Sequence, residues 1–222
     1  MTLEIACFSL KGAEIALKAG ADRIEFCQNY AAGGISPPVE EVVQVKQITG
    51  KPVFVMVRPR SGHFVYNNQE IRQMHVTMET MKSAGADGFV FGIVDSDNEL
   101  NLKACKNLIR RASPLPCTLH RAFDNIPDKI KSLQLAVDCG FSRILTSGGV
   151  GYAADNLGIL ARLVEESSDR IIIIPGGGLR SSNIDKIIKH TRAREYHSAC
   201  ITKKGIPLPD PLQINFIKNR LS

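Results

Sequence analysis

Short apolar runs recur along this chain at nearly even intervals. Between them the apolar positions change to helical spacing. The runs LEIAC, RIEFC, VFVMVR, GFVFGIV, CTLHR, RILTS, IIIIP and EYHSAC predict strands at 3–7, 23–27, 53–58, 88–94, 117–121, 143–147, 171–175 and 195–200. Helical spacing predicts helices at 9–19, 38–48, 68–84, 101–112, 128–138, 152–167 and 181–190. Gly20-Ala21-Asp22, Gly50-Lys51-Pro52, Gly85-Ala86-Asp87 and Gly140 punctuate the joints, and Ser9, Pro37-Pro38 and Ser181-Ser182 stand where helices should start.

Eight strands alternating with helices predict one α/β domain over 1–222, a TIM-like (β/α)8 barrel of parallel strands. An open doubly wound sheet is the competing architecture. Strand-to-strand intervals of about 20 to 35 residues, and polar residues inside otherwise apolar strands, favour the barrel. After Cys200 the chain passes Pro207, Pro209 and Pro211, so the final helix, at 211–221, is expected to be short or irregular.

Side chains alternate along a strand, so parity sorts the barrel's two faces. Leu3, Ile5 and Cys7 suit the helix-facing side, which turns Glu4 and Ala6 inward. Ile24 and Phe26 likewise turn Glu25 and Cys27 inward. Arg58 shares the inward parity of Phe54 and Met56, Arg60 follows just beyond, and His197 shares parity with Glu195. His120, Arg121 and Asp124 fall at the end of strand 5. Inward charges cost several kcal/mol unless they are paired or meet a ligand. They can therefore form an internal ion-pair network, Glu4 and Glu25 with Arg58, or a ligand site at the strands' C-terminal ends. For a ligand site, Glu25, His120, Asp124 and His197 are the candidate acid/base groups, and Arg58, Arg60 and Arg121 the candidate anion contacts.

Glycine adds to this. Gly176, Gly177 and Gly178 follow strand 7 and precede Arg180 and a helix, and Ser147 and Gly148 follow strand 6 in the same way. Bare amides before a helix suit an anion, although tight strand-to-helix turns need glycine too. His63, His75 and His190 fall on loops or helices and read as surface groups.

Composition changes the picture little, charge slightly more. The formal charge is +6, and Arg180 to Ser222 alone holds nine Lys/Arg against three Asp/Glu, so the whole excess is local. No aromatic interleaving accompanies it, so a solvated basic patch is expected and no nucleic-acid partner. No run of eighteen apolar residues predicts a membrane span, and Met1-Thr2-Leu3-Glu4 lacks a signal pattern, so a cytoplasmic protein with reduced thiols is expected. The six cysteines form no C-x-x-C pair.

Taken together, EIACFSLKGAEIALKAGADRIEFC, GGISPP, VRPRSGHFVY, LHRAFD, ILTSGG, PGGGLRSSNI and EYHSA resemble the CutC family, named for copper homeostasis, in order from residue 3 to about 200. The resemblance implies a cytosolic TIM-like barrel, often a homo-oligomer, associated with copper tolerance or Cu(I) binding. The family's proposed copper ligands are cysteines on the first two strands. Cys27 matches the second, whereas the first falls on Ala6 with Cys7 beside it, and Cys200 on strand 8 is the available substitute. Gly62-His63 and Leu119 depart from the usual Gly-Asp and Phe. Two functions therefore compete: copper handling through thiols, and a metabolic enzyme (hydrolase, lyase or isomerase) acting on an anionic or phosphorylated small molecule.

Overall fold

The computed structural model describes residues 1–222. Eight parallel strands run β1 Thr2–Cys7, β2 Arg23–Phe26, β3 Val53–Met56, β4 Gly88–Phe91, β5 Cys117–Leu119, β6 Arg143–Thr146, β7 Ile172–Pro175 and β8 Glu195–Ser198. Eight helices alternate with them: α1 Leu10–Lys18, α2 Val39–Gln47, α3 Asn68–Ser83, α4 Leu102–Ala112, α5 Lys129–Cys139, α6 Leu157–Ser167, α7 Ile184–Thr191 and α8 Pro211–Leu221. Strand order is β7-β6-β5-β4-β3-β2-β1-β8, and β7 lies against β8, so the sheet rolls into a nearly closed (β/α)8 barrel. No helix is long and apolar enough to cross a membrane.

Local chemistry fixes the element ends. Ser9 caps α1 by accepting from the Gly12 amide, and Asn67 and Glu70 form a reciprocal capping box at α3. β5 stops at Leu119 because His120 caps the 3-10 turn Arg121–Asn125. The predicted helix 152–167 divides into a 3-10 turn, Ala153–Asp155, and α6. The last helix falls where the sequence placed it, at Pro211–Leu221, and its 11 residues form a regular helix. Pro211 sits in its first turn, where no amide is needed, and Asp210 caps it by accepting from Leu212.

Two apolar layers result, of very unequal size. A continuous cluster of 52 buried residues fills the space between strands and helices and contains Cys7 and Cys200. Inside the barrel the apolar cluster is only Cys27, Phe54, Met56 and Val90, with Phe8 against it. Much of the rest of the interior is charged: Glu4, Arg23, Glu25, Glu195 and His197 are all buried. Phe54 stands in it as a spacer, with the Arg23 and Arg143 guanidiniums 4.9 and 5.1 Å from its ring. Gly88 is required opposite it, since a Cβ there would come within 2.7 Å of that ring.

Candidate active site

The interior charges form a connected chain that climbs from the barrel floor to its mouth. Arg143 Nε donates to Glu195 Oε2 (3.2 Å), Arg23 donates to Glu195 (2.5 Å) and to Glu4 (2.5 Å), and His197 Nδ1 donates to Glu4 Oε1 (2.8 Å). His197 Nε2 then lies 3.7 Å from Glu25 Oε2. Register explains the stacking: Glu4 pairs with Arg23 on one side and with His197 on the other, and Ala6 with Glu25. Glu4 is fully buried and Glu25 is 4% exposed.

The members titrate differently. Burial opposes ionisation of Glu4, but Arg23 and His197 outweigh it and hold that carboxyl at about 2. Burial pushes Glu25 up to about 7 against the pull of His197, because its other neighbours do not compensate. Burial also opposes the His197 imidazolium, yet Glu25 and Glu4 raise its pKa. Glu4, Glu25 and His197 are the one trio of His, Cys, Asp and Glu side chains whose ligand atoms gather within 4.8 Å. Both Glu4 oxygens are already taken by Arg23 and His197, and His197 links that pair to Glu25.

Above this chain lies a cavity of about 100 Å³, lined by Glu25, Met56, Arg58, Phe64, His120 and Arg121, with Gly33 and Leu145 completing the wall. Three buried polar atoms on these side chains lack any partner: Glu25 Oε1, Arg58 Nε and His120 Nε2. Buried polar groups are nearly always satisfied, so three such atoms on the side chains that line one hollow single it out as the candidate site. Arg58 is anchored by its outer nitrogens, which donate to the carbonyls of Ala32, Gly33, Gly34 and Gly62. His120 Nδ1 accepts from the Ala122 amide (3.2 Å), which places the ring proton on Nε2. Burial, then Arg58, push the His120 pKa down to about 3, so the ring is neutral. It lies 4.6 Å from the Phe64 ring and so close to Gly92 that a Cβ there would come within 2.7 Å of Nδ1.

The remaining candidates are placed as follows. Arg121 lines the cavity with its side chain 45% exposed, and it donates to Asp124, Ser147 Oγ and the Gly151 carbonyl. Asp124 does not line the cavity. It accepts from Thr146, from the Ser147 amide and hydroxyl and from Arg121, and so locks the turn after β5 to the end of β6. The Gly148 amide donates to Thr146 Oγ1 and the Gly176 amide to the Thr146 carbonyl. Gly177 and Gly178 have positive φ, and a Cβ on them would strike Arg121 and Ser147, or Tyr152, so close packing already requires glycine there. Arg60 is drawn away from the cavity: it pairs with Glu70 (2.5 Å), donates to the carbonyls of Ser61, His63 and Val65, and stacks on Tyr66. Arg180 clips the β7 and β8 loops together through Ser198 Oγ and the Ile201 carbonyl.

Sequence reasoning paired Glu4 and Glu25 with Arg58; the structure pairs Glu4 with Arg23 instead. Arg23 and Arg143 were missed, although each opens a strand at inward parity, and so was Phe64, whose loop position carries no periodic signal.

The three candidate thiols lie in different layers of the fold. Cys27 belongs to the inner cluster, whereas Cys7 and Cys200 belong to the outer one, across the strand wall. All three are at most 1% exposed, and burial raises the pKa of each thiol.

The comparisons with known proteins agree with the sequence resemblance. The CutC family profile matches residues 1–202. A human relative, "Copper homeostasis protein cutC homolog", is 39% identical over 195 residues, covering 88% of this chain and 71% of its own. A CutC protein of Agrobacterium fabrum is 38% identical over 211 residues, covering 95% of this chain and 82% of its own. A Streptococcus agalactiae crystal structure bearing the CutC name superposes with a TM-score of 0.86 at 33% identity, covering 91% of this chain and all of that one. Phosphoribosyl anthranilate isomerase from Thermotoga maritima, at a TM-score of 0.65 and 14% identity, shares the fold alone.

Proposed function

The chain belongs to the CutC family, whose curated relatives carry the name copper homeostasis protein, and from that premise we propose that it serves as a cytoplasmic acid/base enzyme for a small anionic molecule. One observation carries this reading: of the side chains that line the cavity at the barrel mouth, three carry a buried polar atom without a partner, Glu25 Oε1, Arg58 Nε and His120 Nε2. Glu25 is the proton-transfer group, raised to where it exchanges protons near neutral pH. His197 and Glu4 behind it hold and orient that proton. Arg58 and Arg121 supply positive charge at the mouth, and the glycine turns after β6 and β7 keep Arg121 in place. All six cysteines are free, which suits a reducing compartment. In this reading the family's link to copper runs through metabolism, with Cu(I) neither cofactor nor cargo on these thiols.

Thermal shift tests it, with a panel of small carboxylates and sugar phosphates beside Cu(I). At least one anion is expected to raise the melting point of the wild type and to lose that effect in Arg121→Ala. Cu(I) is expected to act alike on the wild type and Cys27→Ser. Stabilisation by Cu(I) that vanishes in Cys27→Ser, with no response to any anion, would overturn the proposal.

A further inference from the structure

The three unpartnered atoms differ in kind, and the difference selects a reaction. Arg58 Nε is an obligate donor. His120 Nε2 is also a donor, because the Ala122 amide occupies Nδ1 as acceptor. Two buried N–H groups on side chains lining one small cavity suit an oxygen that gains negative charge. The same lining holds one carboxyl, Glu25, backed by His197.

The lining excludes other acid/base chemistries. It contains no Ser, Thr, Cys or Lys to serve as a nucleophile. It contains a single carboxyl, where glycoside hydrolysis needs two. A volume of about 100 Å³ is roughly three waters' share of the liquid, enough for a reacting fragment of two or three carbons. Half-exposed Arg121 stands at the edge, where an anionic remainder would emerge.

Resting on the acid/base reading above, we infer that the substrate is a small α-hydroxycarbonyl compound and that the site enolises it. The carbonyl oxygen takes hydrogen bonds from Arg58 Nε–H and His120 Nε2–H. Ionised Glu25 removes the proton from the adjacent carbon. The C–H electron pair becomes the new C=C bond, and the carbonyl π pair moves onto oxygen, giving an enediolate held by the two donors. Glu25 returns its proton to the former carbonyl carbon while the hydroxyl proton passes to the other oxygen, and the isomeric hydroxycarbonyl leaves. Atoms and electrons balance within the substrate, so no oxidant or reductant is consumed. A neutral imidazole suits the donor role, because its N–H is matched to an enediolate and does not protonate it outright.

The test uses the full chain in D2O with dihydroxyacetone, glyceraldehyde, glycolaldehyde and the corresponding monophosphates, following carbon-bound protons by NMR. At least one compound should exchange its α-proton, at a rate that falls a hundredfold or more in Glu25→Gln and in Glu25→Asp. The enediolate mimic glycolohydroxamate should bind the wild type at least tenfold tighter than glycolamide. Nitrogen NMR should show His120 neutral, with its proton on Nε2, from pH 5 to 9. No exchange above the Glu25→Gln background overturns the inference. If anions still raise the melting point in that case, the acid/base site stands and only its substrate class is wrong; if they do not, both fall. A protonated Nδ1 on His120, or equal binding of the two glycolic derivatives, also overturns it.

Discussion

Replacing Glu25 with Gln should stabilise the protein at alkaline pH and leave it unchanged at acid pH. An ordinary glutamate titrates at 4.5, and burial moves Glu25 to about 7 in the fold. Between these values the unfolded chain has released the proton and the folded chain still holds it. Stability conferred by protonated Glu25 is therefore present below 4.5 and falls as pH rises toward 7. Above 7 the fold carries a buried carboxylate that it disfavours by about 3 kcal/mol, the equivalent of that gap. His197 shifts with the same sign: its raised pKa gives stability that is full below 6.5 and lost as pH climbs beyond it. Glutamine keeps the shape of the neutral acid and removes the titration. Urea unfolding at pH 4.5 should thus give nearly equal free energies for wild type and Glu25→Gln. At pH 8.5 the variant should be more stable, by an amount approaching 3 kcal/mol. A variant destabilised equally at both pH values would refute the reasoning, because Glu25 would then act as an ordinary packed side chain. So would a wild type whose stability rises between pH 5 and 7.

Three further perturbations probe the surrounding scaffold. Gly92→Ala places a Cβ 2.7 Å from His120 Nδ1 and 2.8 Å from Leu119 Cδ1, so the imidazole must move; a cost of about 1–3 kcal/mol in urea unfolding and loss of ligand-induced thermal stabilisation are expected. Arg23→Met strips Glu4 and Glu195 of their shared cation and should cost about 3–5 kcal/mol near neutral pH. The Glu4 carboxyl, held at about 2, gives stability that is present above 4.5 and lost as pH falls toward 2, so the Arg23→Met deficit should shrink in acid. Arg60→Ala should quicken proteolysis of the 61–67 loop and cost about 1 kcal/mol, while ligand-induced stabilisation persists. Loss of that stabilisation would return Arg60 to the binding site.

Strand parity made the barrel and its inward residues legible, because a two-residue period survives wherever the backbone is extended. It turned Glu4, Glu25, Arg58 and His197 to one side, and the structure stacks them along one interior. The same rule failed at Arg60, which lies four residues past the end of β3 and beyond Pro59. There the chain has left the sheet, and the guanidinium folds back onto its own loop carbonyls. Asp124 misled for a related reason. A charged cluster after a strand looks alike whether it meets a ligand or ties two loops together, and only the Thr146 and Ser147 donors settle which. Arg23 and Arg143 escaped notice because an arginine that opens a strand is indistinguishable in sequence from a solvated turn residue.

The arrangement of these interior charges explains why the titrating group sits at the mouth. Along the chain Arg143, Glu195, Arg23, Glu4, His197 and Glu25, signs alternate, and each inner carboxylate lies between two nitrogen bases. Glu195 has Arg143 and Arg23; Glu4 has Arg23 and His197. Glu25 is the end of the series, with His197 on one side and the cavity on the other. Every charge between the two ends is held by two neighbours, so the uncertainty of one proton is pushed to the last pair. A charged barrel floor, expensive to bury in itself, thus determines where proton exchange occurs at neutral pH. In the proposed reading it places that exchange at the C-terminal ends of the strands, where Arg58 and His120 each hold a buried donor without a partner.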